Sequence, residues 1–113
     1  MGSKPSPAVY QTEEFQSFLK GLRPGDKFKK WIEEMKDKLK ENMLAGDSIP
    51  KKKIPDYYIR EYHVNNLYRF SHPEGYRFCY TLVRIPELGV ICPVILDFLS
   101  HPEYEKRFGY RTT

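Results

Sequence analysis

Residues 75–99 read Gly75-Tyr-Arg-Phe-Cys-Tyr-Thr-Leu-Val83, then Arg-Ile-Pro-Glu-Leu-Gly89, then Val90-Ile-Cys-Pro-Val-Ile-Leu-Asp-Phe-Leu99. In the first part Tyr76, Phe78, Tyr80 and Leu82 alternate with Arg77, Cys79, Thr81 and Val83, the period of two that defines a strand with distinct faces. Pro86-Glu87-Leu88-Gly89 supplies a turn, and Val90 to Leu99 is an almost continuous apolar, β-branched run, as expected of a strand in the middle of a sheet. Pro93 interrupts that run. A proline there requires a bulge or a position whose missing N–H faces away from a partner.

Just upstream, Leu67-Tyr68-Arg69-Phe70-Ser71 alternates in the same way, and Pro73-Glu74-Gly75 turns it into the next strand. The chain before it reads as helices. Asp26 is a natural N-cap for a helix with Phe28, Ile32, Met35, Leu39 and Met43 at steps of three and four, closed by Gly46 as the residue past its end. Thr12 caps an earlier helix that buries Phe15, Phe18, Leu19 and Leu22 and stops before Pro24-Gly25. Ala8 to Gln11 is a short edge strand, and residues 1–7 form a disordered lead-in to a single domain spanning 8–113. The segment from Asp47 to Asn66 carries the weakest pattern: Pro50 and Pro55 exclude a helix across it, and Asp56 caps one or two helical turns that set Tyr57, Tyr58 and Tyr62 against the body. The fold class is therefore α+β: an antiparallel sheet of three to four strands, two N-terminal helices packed on one face, and a short C-terminal helix.

That last helix begins at the second copy of Ser-His-Pro-Glu. In this copy Ser100 and Glu103 have capping-box spacing and Pro102 fits a first turn, so a helix runs through Arg107. The first copy, Ser71 to Glu74, lies in the hairpin turn.

Composition narrows the chemistry. In 113 residues, 40% hydrophobic and 15% aromatic, there is enough apolar material for a core and no run approaching the ~18 residues of a membrane helix. No secretory h-region is present, so a cytoplasmic protein is expected. Cys79 and Cys92 lie on the two strands without metal-ligand spacing and read as buried free thiols in a reducing compartment; neither a metal nor a cofactor is expected. The formal charge is +4. Every lysine except Lys106 lies at or before Lys53, whereas the arginines, Arg23 apart, lie at or after Arg60. A guanidinium presents a planar fork that suits phosphate, while lysines scattered among Glu on a helix face are ordinary solvation, so the arginines are the place to look. The basic run Lys51 to Lys53 reads as a solvated loop.

By the period-two rule the aromatics Tyr68, Phe70, Tyr76, Phe78 and Tyr80 face the helices and Arg69 and Arg77 face the other, exposed side. His101 and Tyr104 join them at the end of the last strand, with Arg107 one turn further. A group that titrates near neutrality beside guanidinium groups suits phosphodiester cleavage in RNA. Each residue has a structural alternative. His101 is a helix-cap residue in that case, Arg69 and Arg77 pair with carboxylates such as Asp97 or Glu74, and Tyr104 packs under Phe108 and Tyr110. His63 and His72 are assigned no role.

Two helices, Asn66-Leu67-Tyr68-Arg69, Gly75-Tyr76-Arg77-Phe78-Cys79-Tyr80, and an apolar strand ending in His101-x-x-Tyr104-x-x-Arg107 together resemble the RelE/ParE toxin superfamily of toxin–antitoxin systems. The resemblance implies a cytoplasmic, ribosome-dependent mRNA endoribonuclease that works by metal-independent 2′-hydroxyl attack, without a small-molecule cofactor and away from membranes. Its partners would be the ribosome, mRNA and a cognate antitoxin. It implies Arg77 as the hairpin arginine on the phosphate, and His101 and Tyr104 as the proton-transfer and base-stacking residues, with Arg77 counted among the catalytic group. Arg69, Lys106 and Arg107 are then the further RNA- or phosphate-binding residues. Two features depart from the pattern: Arg69 stands alone where some relatives carry a lysine cluster, and the Ile49 to Asn65 segment is longer than the simplest members need. ParE-type members inhibit gyrase, so a non-catalytic RelE-fold binding protein or a ParE-like gyrase inhibitor is the alternative.

Overall fold

A computed structural model describes residues 3–109. The element order is β1 (Tyr10–Gln11), α1 (Glu13–Lys20), α2 (Lys27–Glu41), β2 (Asp47–Ser48), a 3-10 turn (Lys51–Lys53), α3 (Asp56–Tyr62), β3 (Tyr68–Ser71), β4 (Arg77–Ile85), β5 (Val90–Leu99) and α4 (His101–Phe108). The class is α+β as expected, but the sheet has five strands in the order β1-β5-β4-β3-β2 and is mixed. The expectation of three to four antiparallel strands misses β2, which is only two residues long, and the direction of β1, which runs parallel to β5 with Tyr10 opposite Val94. Two residues are too few to leave a period in the sequence.

The helix starts follow their caps. The Thr12 Oγ1 accepts from the Phe15 N–H at 3.1 Å, and the Asp26 Oδ1 accepts from the Phe28 N–H at 2.8 Å. Both helices pack on one face of the sheet, where Phe15, Ile32, Met35 and Leu39 meet Phe78, Tyr80 and Ile95 in a buried cluster rimmed by Tyr68, Phe70 and Phe98. Each fully buried side chain of this size contributes about 1.5–3 kcal/mol relative to exposure.

The end of α2 differs from the expected one. The helix stops at Glu41, and Asn42 leaves it in an extended conformation. The N-terminal segment explains the early stop: Ser6 N–H donates to the Lys40 carbonyl at 2.8 Å, the Lys4 carbonyl accepts from the Met43 N–H at 2.7 Å, and the Lys4 N–H donates to Asn42 Oδ1 at 3.0 Å. Residues 4 to 6 thus satisfy groups that a helix end leaves open. Of the lead-in expected to be disordered, these residues are tied to the body, while Met1 and Gly2 lie outside the described residues. Gly46, expected as a helix terminator, serves close approach instead. A Cβ there would lie 2.8 Å from the Arg69 carbonyl oxygen and 2.9 Å from the Tyr80 ring and hydroxyl. The Tyr80 hydroxyl accepts from the Gly46 N–H and donates to the Met43 carbonyl, both at 2.9 Å, so the chain after α2 is pinned to the sheet.

In α3, Asp56 is the first helical residue and Pro55 the cap position, which has no side-chain acceptor to offer. Tyr58 is nevertheless fully buried, as its spacing predicts. At the other end, α4 carries the full capping box, with Ser100 N–H donating to Glu103 Oε1 at 2.8 Å and Glu103 N–H to Ser100 Oγ at 3.3 Å.

Pro93 takes the second of its two allowed places. It lies opposite Leu82, whose N–H and carbonyl are turned outward to the Asn66 side chain. This is a pair that exchanges no ladder bonds, so Pro93 needs no N–H toward β4. The bulge lies three residues on: Cys79 faces Asp97 and Tyr80 faces Ile95, leaving Leu96 as the extra residue. Leu96 and Asp97 consequently both turn to the face opposite α1 and α2, where strict alternation would send only one.

That second face is not exposed. Ile49 and Ile54 from the 47–55 segment, Tyr58 of α3 and Tyr104 of α4 bury it together with Leu67, Cys79, Leu96 and Leu99. From Cys92 onward β5 is covered on both sides, which explains the apolar run there, while Val90 and Ile91 at its start stay exposed.

Candidate phosphate-binding site

Register decides which side chains share the second face. Arg69 lies opposite Cys79, and Arg77 opposite Ser71, on the antiparallel β3–β4 pair. Cys79 belongs to the second-face cluster and Phe78 to the first, so the arginines point away from α1 and α2 as the alternation predicts. Both converge on Tyr104 of α4. The Arg69 Nη1 donates to the Tyr104 hydroxyl at 3.1 Å, and the two guanidinium carbons lie 5.8 Å (Arg69) and 5.6 Å (Arg77) from the Tyr104 ring centre. Cations at this range over a ring gain about 0.5–2 kcal/mol, the more so as water is excluded. The Tyr104 ring is itself stacked on Phe108 at 4.2 Å and only 3% exposed.

The pairing of the two arginines differs. Arg69 Nη2 meets the Asp47 carboxylate at 3.1 Å across the β2–β3 edge. Burial works against the Arg69 charge, but the Tyr104 hydroxyl and the Asp47 carboxylate outweigh it and hold the guanidinium above its ordinary pKa. Arg77 has no carboxylate in this set; its Nη1 turns back to the Gly75 and Tyr76 carbonyls at 3.0 and 3.3 Å. The Nε atoms of both arginines are buried and lack a hydrogen-bond partner among the described residues. Buried N–H groups are seldom left in that state, and on a guanidinium they mark capacity for a further acceptor.

A second arrangement of the same residue types lies along α4. Arg107 Nη1 donates to Asp97 Oδ2 at 2.7 Å and to the Tyr58 hydroxyl at 3.3 Å, and its guanidinium lies 3.9 Å over the Tyr57 ring. Burial raises the Tyr58 pKa and pushes the Cys79 thiol up to about 12. Burial also raises Asp97, against the hydrogen bond from Tyr58 and the pull of Arg107. This group joins α3, α4 and β5.

Of the sequence-predicted residues, the structure brings Arg69, Arg77 and Tyr104 together. His101 is half-exposed, with its Nε2 3.1 Å from Glu105 Oε2 one turn along α4. Lys106 is exposed on α4, and Arg107 is engaged with Asp97. The expected carboxylate partners were Asp97 or Glu74; the actual partner of Arg69 is Asp47, which the sequence did not single out. Its only signal is a carboxylate just past Gly46, and its meaning depends on the pairing of β2. His72 stacks on Trp31 at 4.0 Å on the first face, and His63 is the left-handed residue that ends α3, so neither reaches the site.

Among the described residues no group of His, Cys, Asp or Glu is placed to hold a metal ion, and no helix is long and apolar enough to cross a membrane. Compared with known proteins, the chain matches no family model, no curated protein and no solved structure. The RelE/ParE resemblance therefore rests on the motifs quoted from the sequence.

Proposed function

We propose that this protein is a RelE-like toxin that cleaves mRNA on the ribosome and is restrained by an antitoxin. One observation carries the reading: two guanidinium groups from adjacent strands meet on one tyrosine, each with a buried Nε that has no acceptor among the described residues. Such a cradle suits a phosphodiester, whose charge increases as the 2′-oxygen attacks phosphorus. In that reaction the 2′-hydroxyl loses its proton, a 2′,3′-cyclic phosphate forms, and the 5′-oxygen leaves and takes up a proton. Arg77 and Arg69 would stabilise the non-bridging oxygens. The proton-transfer step falls to Tyr104, the titratable group the arginines surround, because the contact of His101 is with Glu105. Lys106, exposed on the same helix, would extend the positive surface toward the RNA backbone.

The burial of Tyr104 favours a second reading, a RelE-fold binding protein without nuclease activity or a gyrase inhibitor, because a ring 3% exposed must be uncovered before it can stack on a base. Induced expression separates the two. The nuclease reading expects growth arrest with mapped cuts in mRNA, and Arg77→Ala to lower cleavage by about a hundredfold or more while the protein still folds. Growth arrest with intact transcripts, or cutting unchanged in Arg77→Ala, would overturn it.

A further inference from the structure

We infer that Asp47 is a built-in anion surrogate that occupies Arg69 in the free protein and must yield the guanidinium when a phosphate binds. The inference rests on the phosphate-binding reading of the Arg69, Arg77 and Tyr104 group. Arg69 uses one terminal nitrogen for the buried Tyr104 hydroxyl and the other for Asp47. The tyrosine contact is fixed by the packing of α4, so the Asp47 bond is the exchangeable one. The Asp47 side chain is 72% exposed against 29% for that of Arg69, and β2 that carries it is a two-residue edge strand. An exposed ion pair of this kind contributes little to stability, so its replacement by a stronger, doubly bonded phosphate contact costs little.

Asp47 also sits at the start of the segment that covers the site. Ile49 and Ile54, two and seven residues on, belong to the same buried cluster as Tyr104. Between them Lys51, Lys52 and Lys53 form an exposed 3-10 turn. A polyanion approaching that turn meets three exposed lysines four to six residues along the chain from the one carboxylate it has to displace. The long 49–65 segment, unexplained by the simplest form of the fold, thereby gains a role: it sets the threshold for anion entry. The same carboxylate discriminates against weakly charged ligands, because only a partner that outcompetes a tethered carboxylate takes Arg69.

The test is binding of a labelled single-stranded RNA oligomer to the purified full chain at fixed salt, for wild type, Asp47→Asn, Arg69→Gln, the double variant, Arg77→Ala, and Glu61→Gln as a control acid outside the site. Asp47→Asn is expected to bind about three- to tenfold more tightly than wild type, because a fixed negative charge beside the phosphate is gone. The gain is expected to vanish when Arg69 is Gln, and Glu61→Gln to change affinity less than twofold. Equal affinity of Asp47→Asn and wild type, an equal gain from Glu61→Gln, or a gain that persists in the double variant would overturn the inference while leaving RNA binding through Arg77 in place. If no variant binds RNA, or if Arg77→Ala binds as wild type does, the phosphate reading itself falls and the surrogate role with it.

Discussion

Two arginine–tyrosine groups share one face of the sheet, and they differ in what completes them. Around Arg107, Nη1 bonds both the part-buried Asp97 carboxylate and the buried Tyr58 hydroxyl, and the guanidinium lies over the Tyr57 ring. Around Arg69 and Arg77 the only carboxylate among the described residues is the exposed Asp47, Arg77 falls back on backbone carbonyls, and two buried Nε groups have no acceptor among those residues. Residue type alone does not separate a structural cation from one available to a ligand; the burial of its carboxylate partner does.

The sharpest way to break that contrast is to remove each arginine's charge and compare stability. Arg107→Met leaves Asp97 desolvated without its cation and is expected to cost about 3 kcal/mol, whereas Arg77→Met, which strands no carboxylate, is expected to cost less than about 1 kcal/mol. Urea unfolding of the two variants checks this, and equal losses would erase the distinction between the groups. A smaller difference is expected from the tyrosines. Tyr58→Phe deletes a fully buried hydroxyl shared by Arg107 and Asp97 and should cost about 1–2 kcal/mol, with Tyr104→Phe, which leaves Arg69 its bond to Asp47, costing less.

The smallest effect is in the pH dependence. Burial raises the Asp97 carboxyl above its unfolded value, so the native state holds that proton more tightly than the unfolded chain does. Its stabilising effect is fully present below the unfolded carboxylate pKa and is lost as pH rises through the higher folded value. Wild type should therefore lose stability relative to Asp97→Asn across that window, seen as a shift in the difference between their urea midpoints. A difference that stays flat, or moves the other way, would mean that Arg107 compensates the carboxylate fully.

The parts of the molecule that repeat were legible in the sequence, and those that depend on a single contact were not. Alternation in 67–71 and 76–83 placed Arg69 and Arg77 on the face away from α1 and α2, and the 100–103 spacing placed α4 with its capping box. Helix periodicity placed Ile32, Met35 and Leu39 in the first core. The second face escaped because much of its cover comes from Ile49 and Ile54, isolated apolar residues among prolines and lysines that carry no period of their own, while Tyr58 was set against the body without a face assigned to it. Asp47 escaped for a related reason: an ion pair across a two-residue strand is set by tertiary register, and no local spacing encodes it. The Gly46 misreading shows the same limit. A glycine after an amphipathic run has a local meaning as a helix terminator, and the packing of Tyr80 overrode it.

The extra residue at Leu96 has a consequence for how this chain tolerates change. It acts as a phase shifter between the two halves of β5: residues 97–99 deliver Asp97 and Leu99 to one layer, and residues 94 and 95 resume the alternation one step out of phase. Substituting Leu96 changes one buried side chain of the second core. Deleting Leu96 would remove the bulge and leave Ile95 and Asp97 on the opposite faces they now occupy, whereas losing a residue elsewhere in 93–99 other than Asp97 would turn one half of the strand over and exchange side chains between the cores. Both arginine groups thus depend on the count of residues on either side of the bulge as much as on their identity, so the strand should accept the loss of Leu96 more readily than a change of length away from the bulge.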